Sequence, residues 1–135
     1  MRSLAERARD ERGLMGKIAI LWLALLVLFV VAAIDTGSIL YTRYKVADAA
    51  DEASFEAATV YKDTRNQQVA LQAALTKVKE LTPGAHLAAF KLDAKTGEVT
   101  VTVTKEAWSL LAARLPFTEE YVKATETATN GPPVL

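Results

Sequence analysis

The chain contains no cysteine and only one histidine, and these two shortages exclude much chemistry. Without cysteine there is no disulfide framework, no thiolate nucleophile and no cysteine-ligated metal. A metal site would need several carboxylates to converge with His86, and no spacing in the sequence argues for that. We therefore expect no metal and no cofactor, and a fold held together by packing alone.

Glycine and proline are also scarce, with six and four residues, and the glycines are scattered singly. The sequence has no phosphate-binding glycine-rich loop and no nucleophile elbow. The adjacent acidic pairs Asp51-Glu52 and Glu119-Glu120 would point apart on a helix or strand, so neither forms a paired-carboxylate site. The sequence therefore predicts a protein that is not an enzyme and has no catalytic residue.

Charge is balanced over the whole chain but unevenly placed along it. The formal net charge is zero, and no cluster of basic residues interleaved with aromatics argues for nucleic-acid binding. Residues 1–17 carry five basic and three acidic side chains, a net charge of +2. The positive-inside rule then places the N-terminus in the cytoplasm and residues 36–135 outside it, although Arg43 and Lys45 reduce the difference in positive charge between the two sides.

The longest apolar run, from Ile18 to Ile34, holds seventeen residues without a charge, glycine or proline. As a helix it covers about 26 Å, slightly less than a hydrocarbon core of about 30 Å, so we extend the predicted transmembrane helix over 17–41. The alternative is a cleaved secretory signal, with Val31-Ala32-Ala33 before a cleavage site at Ile34. The run exceeds the usual signal core of about 7–15 residues, which favours an uncleaved single-pass anchor in the cell (inner or plasma) membrane.

Beyond the apolar run the helical period continues, which predicts one rod from Lys17 to Tyr61. A stripe of mostly small residues recurs every three or four positions, and charged residues occupy the opposite face. The stripe suits packing against the chain's own domain, and it equally suits helix association with another subunit. Its members are Val46, Ala50, Ala53, Ala57 and Val60.

The remaining pattern predicts a second helix and then a change of period from 3.6 to 2. Thr64 and Gln67 resemble a capping box for a helix that ends at Leu81, with Leu71, Leu75 and Val78 facing inward. A β-hairpin follows, in which Ala88, Phe90 and Leu92 alternate on one strand and Val99, Val101 and Val103 on the next.

After the hairpin we expect a short amphipathic helix and a third strand. The helix would carry Trp108, Leu111 and Leu115 and end at Pro116, and the strand would run through Val122 and Ala124. The sequence therefore predicts an α+β protein with five regions. These are a basic head (1–16), a transmembrane helix (17–41), an extracytoplasmic helical region (42–81), a small α+β region (82–129) and a tail (130–135).

The order of these features resembles the TadE/TadG-like family of tight-adherence (Flp) pilus proteins, and more broadly the ladle shape of type IV pilins and pseudopilins. The resemblance is strongest over about residues 12–60. It is carried by a basic head ending in glycine, the apolar helix, the exit Ile34-Asp35-Thr36-Gly37, the residues Tyr41, Arg43 and Tyr44, and the Ala-rich run DAADEASFEAA.

The resemblance implies prepilin-type processing, for which Gly13 and Gly16 are the candidate positions. In that family a glutamate typically follows the glycine by five residues and pairs with a neighbouring subunit's N-terminal amine. Here Ile18 and Leu21 occupy those positions. A buried charge that lacks its partner inside a fibre is energetically costly. A minor subunit or assembly factor therefore fits better than a bulk filament protein.

The leading hypothesis is a pilin-like structural or assembly component of a tight-adherence or type IV-like pilus or secretion system. Its partners would be the lipid bilayer, other pilin-like subunits and the inner-membrane machinery, with homo- or hetero-oligomers formed through the long helix. One alternative is a membrane-anchored extracytoplasmic module that binds a ligand through its sheet, and the observation that distinguishes it is whether isolated residues 82–135 fold and bind something without the helix. The other is a small membrane-tethered enzyme that depends on His86.

Overall fold

The computed structural model describes residues 4–132, with residues 5–10 and Glu119 described as backbone alone. Residues 1–3 of the predicted head and 133–135 of the predicted tail lie outside the described residues. The order of elements confirms the α+β prediction. It is α1 (Leu4–Thr64), α2 (Gln67–Leu81), β1 (His86–Leu92), β2 (Val99–Glu106), a 3₁₀ turn (Ala112–Arg114), α3 (Glu119–Val122) and β3 (Lys123–Asn130).

The long helix α1 has 61 residues and is longer than predicted at both ends. It runs without a break through Gly13 and Gly16, which lie near the end of the predicted head, before the apolar run. A glycine costs a helix only about 1 kcal/mol, too little to stop one flanked by good helix formers. Within the described residues, α1 is the one helix long and apolar enough to cross a membrane.

The connection between α1 and α2 is a tight turn at Arg65 and Asn66. Arg65 has a φ of 55°, and its backbone N–H donates to the Tyr61 carbonyl at 2.8 Å, a left-handed helix cap. The Asn66 side chain then accepts from the backbone N–H groups of Gln68 (3.0 Å) and Val69 (3.3 Å). Asn66 is therefore the cap of α2, and the predicted capping box is wrong because Thr64 still belongs to α1.

The helix α2 packs against α1 through small residues. Ala70, Ala74 and Val78 are its buried residues, whereas Leu71 and Leu75 are only partly buried. The predicted inner stripe was thus rotated by one residue, and only Val78 was placed correctly. Alanines at this contact bring the two helices close together, since they add little bulk between them.

The three strands form an antiparallel sheet in the order β1-β2-β3, which confirms the predicted hairpin and third strand. The turn between β1 and β2 uses Gly97 at a φ of 77°, a conformation that favours glycine. A register shift between Leu87 and Ala89 places Ala88 on the exposed side, so the strict alternation predicted from Ala88 is wrong. Val122 lies in the short helix α3 rather than in β3.

The core lies between α1 and the inner face of this sheet. Val99, Val101 and Val103 of β2 have no exposed surface, and they join the buried residues of α1 and α2 in a single cluster. The end of β3 is tied to α1 through the Asn130 amide, which donates to the Asp51 carbonyl (3.0 Å) and to the Ser54 hydroxyl (2.7 Å). The sheet therefore shares its core with α1 and α2.

Candidate functional site

The apolar run of α1 is left uncovered by the rest of the described structure. Large hydrophobic side chains from Ile18 to Val30 expose about half to three quarters of their surface. A water-soluble protein does not leave so long an apolar surface open, whereas a bilayer would cover it. The place where this run ends, at Asp35, is also where the chain returns to contact it.

Asp35 accepts three backbone hydrogen bonds from the segment that connects β2 to α3. One carboxylate oxygen accepts from the Leu110 N–H at 2.6 Å, and the other accepts from the N–H groups of Leu111 (3.1 Å) and Ala112 (3.0 Å). The Asp35 side chain is only 5 % exposed. Hydrogen bonds to a charged acceptor are stronger than neutral ones, so this contact fixes the segment to α1. We call it the Asp35 clamp.

A second bond secures the same segment one turn farther along α1. The Ser38 hydroxyl donates to the backbone carbonyl of Trp108. Residues 107–118, which we call the return loop, are therefore held against α1 at the level of Asp35 and Ser38.

The clamp explains why the return loop does not form the predicted amphipathic helix. In a helix, N–H groups bond to carbonyls four residues earlier, but those of Leu110, Leu111 and Ala112 bond to Asp35 instead. Only one 3₁₀ turn, Ala112–Arg114, remains, and Pro116 follows it. The helix prediction for this segment is wrong, since a single carboxylate 75 residues away in sequence supplies the competing acceptor.

An apolar groove of about 320 Å³ lies between α1 and the return loop. Leu28, Val31 and Ile39 form its wall on α1, and Leu111, Leu115 and Tyr121 face them. A neighbouring groove joins Leu110 and Leu111 to residues of α1 as far back as Ile20. The loop thus extends the apolar surface of the helix sideways.

The opposite side of α1 at this level is bare. Leu40, Tyr41 and Tyr44 each expose 60 % or more of their surface, and a side chain added at Gly37 would meet no atom within 4 Å. The Lys45 ammonium lies 5.7 Å from the centre of the Tyr41 ring, a cation–π contact. We call these residues, Gly37, Leu40, Tyr41 and Tyr44, the exit face.

The stripe of small residues, which was expected to serve in packing or association, lies mostly in the chain's own core. Val46, Ala50, Ala53 and Ala57 have no exposed surface and belong to the chain's own core, while Val60 is partly buried beside α2. Packing within the domain, one of the two uses suggested by the sequence, is therefore what the structure shows. Association with another subunit through these residues is not tested by a single chain.

The other residues singled out from the sequence do not converge on a common site. Gly13 and Gly16 lie on exposed turns of α1, and His86 opens β1 with an exposed side chain. Among the side chains that the structure describes, no group of three or more His, Asp or Glu is placed to hold a metal. The clamp itself was missed: the sequence marks Asp35 as the first charge after the apolar run, but nothing in it identifies the return loop as its partner.

Comparison with known proteins bears on the same part of the chain. Residues 19–54 match the family model described as TadE-like protein. The match spans most of the apolar run, Asp35 and the first part of α1 that packs on the sheet, and it confirms the resemblance seen in the sequence motifs. The match to the TadE-like family implies that the chain is involved in tight-adherence pilus assembly. No curated protein and no solved structure gives a significant match to the chain.

Proposed function

We propose that this chain, with its TadE-like segment, is a minor pilin-like structural or assembly component of a tight-adherence pilus or a related secretion system. It is anchored by α1 with its N-terminus in the cytoplasm, and its α+β domain lies outside the membrane. The observation that carries the proposal is the match of residues 19–54, the very segment that combines the exposed apolar run with the clamped exit.

Two features of the structure support a role in assembly rather than catalysis. The apolar run of α1 is open to lipid or to other helices, whereas the interior of the domain is filled by small aliphatic side chains. The grooves at the exit are lined mainly by aliphatic residues, with Asp35 already engaged by three donors. Such a surface suits packing of one subunit on another.

The exit face is the surface that we propose for contact with a neighbouring subunit. The stripe from Val46 to Ala57 is occupied by the chain's own core, so a partner would have to displace the sheet to reach it. Leu40 and Tyr44, by contrast, are exposed and lie four residues apart on one side of the helix. Gly37 beside them lets another backbone approach closely.

Site-specific photo-crosslinking in native cells tests this proposal. A photoreactive residue at Leu40 or Tyr44 should give covalent products with pilin-like subunits or the inner-membrane pilus machinery, because both positions face outward where α1 leaves its apolar run. The products are identified by mass spectrometry. Lys95, exposed in the β1–β2 turn and far from the exit, is the matched position and should not give them. Products restricted to lipid at both exit positions would contradict the proposal.

The alternative of a tethered binding module is tested by whether residues 82–135 fold and bind something without the helix. We expect that they do not, because the buried valines of β2 pack on α1 and α2. Taken alone, the sheet would expose its whole inner face, and a three-stranded sheet needs such a face covered to be stable. We therefore propose that domain and helix act as one unit.

We also expect the chain to keep its N-terminal segment. Gly13 and Gly16 remain the candidate processing positions, but the glutamate that the resemblance would require five residues later is absent at both. Both glycines also lie within α1, which would have to unwind to enter a peptidase. The intact mass of the protein extracted from membranes should equal that of the full chain. A mass lacking residues 1–13 or 1–16 would show processing and favour a filament subunit.

A further inference from the structure

The return loop combines two properties that are unusual together. It is fixed to α1 by its backbone, and yet it presents large apolar side chains outward. Trp108 is 64 % exposed, Phe117 is 76 % exposed and Tyr121, just beyond the loop, is 62 % exposed. Scattered apolar residues need no explanation, but a rigidly held group beside an uncovered apolar helix does.

The length of the apolar run places this group at the edge of a bilayer. Ile18 to Ile34 covers about 26 Å, whereas the hydrocarbon core is about 30 Å thick. With Lys17 at the cytoplasmic end, the first turn after Ile34 still lies at the hydrocarbon boundary. That turn contains Asp35, which holds the return loop.

The loop also reaches toward the middle of the apolar run. Leu110 and Leu111 line one groove with Leu28 and Val31, and Val31 lies about 6 Å before Asp35 along the helix axis. A carboxylate at this depth would be costly if it were bare. Three backbone donors satisfy Asp35, and the N–H groups that donate to it are themselves satisfied. The Asp35 carboxylate and these three N–H groups thus satisfy one another, and large apolar side chains of the loop face out.

From this geometry we infer that the return loop is a second membrane contact, with Trp108, Leu110, Phe117 and Tyr121 seated among the lipid acyl chains and headgroups of the outer leaflet. Tryptophan and tyrosine favour that interface because one end of the side chain is apolar and the other polar, whereas Leu110 and Phe117 would contact the acyl chains. The lipid surface is continuous with the apolar run of α1, which is what selects lipid as the occupant. The inference rests on the membrane span of the proposed function and adds a fixed seating of the domain on the bilayer.

Separate measurements on the chain's two tryptophans can distinguish failure of this inference from failure of the proposed membrane span. Trp22 lies within the apolar run and Trp108 in the return loop. The variant Trp22→Phe reports on Trp108 alone, and Trp108→Phe reports on Trp22 alone. Each is reconstituted at low protein density in vesicles of phosphatidylcholine and phosphatidylglycerol. The phosphatidylcholine is brominated either near the headgroup or deep in the chain.

We expect brominated lipid to quench both tryptophans with opposite depth preferences. Trp108 should be quenched more by the shallow bromine, and Trp22 more by the deep one. Quenching of Trp22 without any quenching of Trp108 would overturn the inference and leave the anchor intact. In that case, protection of Trp108 from aqueous acrylamide would mean that a second copy covers the loop, and full access would mean that it faces water. If Trp22 is not quenched, the span and the inference both fail.

A pair of phenylalanine variants tests the seating of the loop by substitution, with Trp108 as the probe. Phe117→Asp places a charge among the proposed lipid contacts and should reduce the quenching of Trp108 by shallow bromine. Phe55→Asp is the matched control, since Phe55 is also exposed but lies twenty residues beyond Asp35 on α1, about 30 Å away. Equal quenching of Trp108 in both variants would contradict the proposed seating.

Discussion

Replacing Asp35 with alanine should release the return loop while leaving the rest of the domain folded. The change removes the acceptor of three backbone N–H groups at once. Arg114 lies in the loop and is exposed, so it reports the release directly. We expect trypsin to cut after Arg114 roughly tenfold faster, as for loss of a strong helix-capping side chain.

The controls for this experiment are on the same chain. Asp48→Ala removes an exposed carboxylate from α1 and should leave the cut at Arg114 unchanged. Cleavage after Arg65, in the turn between α1 and α2, provides an internal reference. Asp35→Asn keeps one oxygen acceptor and should give an intermediate rate. Equal rates after Arg114 in wild type and Asp35→Ala would show that the clamp does not hold the loop.

The contrast between the helices and the return loop shows what the sequence can predict. The apolar run and the period of α1 are local patterns, so the helix is visible in the sequence, as are the hairpin and the third strand. Even the turn between α1 and α2 is local, because the Arg65 backbone caps the end of α1 and the Asn66 side chain caps the start of α2. The start of α2 was mispredicted because one good cap, Asn66, lies two residues from another candidate, Thr64.

The return loop was mispredicted because its structure is not encoded locally. Trp108, Leu111 and Leu115 have a helical spacing, and propensity alone favours a helix there. A carboxylate far away in sequence takes the N–H groups that such a helix would use, and the apolar side chains are then turned outward. Patterns in a single sequence carry no information on such a distant acceptor. They therefore predict neither the Asp35 clamp nor the structure of the return loop.

The small-residue stripe raises a different problem, because the same spacing fits two surfaces. Alanine at Ala50, Ala53 and Ala57 allows close approach of any neighbour, whether it is the chain's own sheet or another helix. The sequence cannot choose between them. The structure shows the chain's own sheet packed against these alanines. A substitution that affects only core packing, or only association with another subunit, can therefore distinguish the two uses.

Ala53→Leu makes that distinction and should be strongly destabilising. Ala53 has no exposed surface and lies in the core between α1, α2 and the sheet. Three added carbon atoms have no space there, and overpacking of this kind costs about 1–3 kcal/mol of unfolding free energy. Urea denaturation of the detergent-solubilised protein, followed by circular dichroism of the domain, measures the loss.

Ala47→Leu is the matched control, because Ala47 is exposed on the same helix and the same side chain is introduced. Its effect should stay within about 0.5 kcal/mol, as for other surface changes. Suppose that Ala53→Leu had an equally small effect on the unfolding free energy of the isolated chain but abolished crosslinking to other subunits. The stripe would then be an association surface, and the packing of Ala53 in the chain's own core would be wrong. A loss of stability confined to Ala53→Leu would mean that partners must use another face, and the exit face around Leu40 and Tyr44 is exposed and apolar.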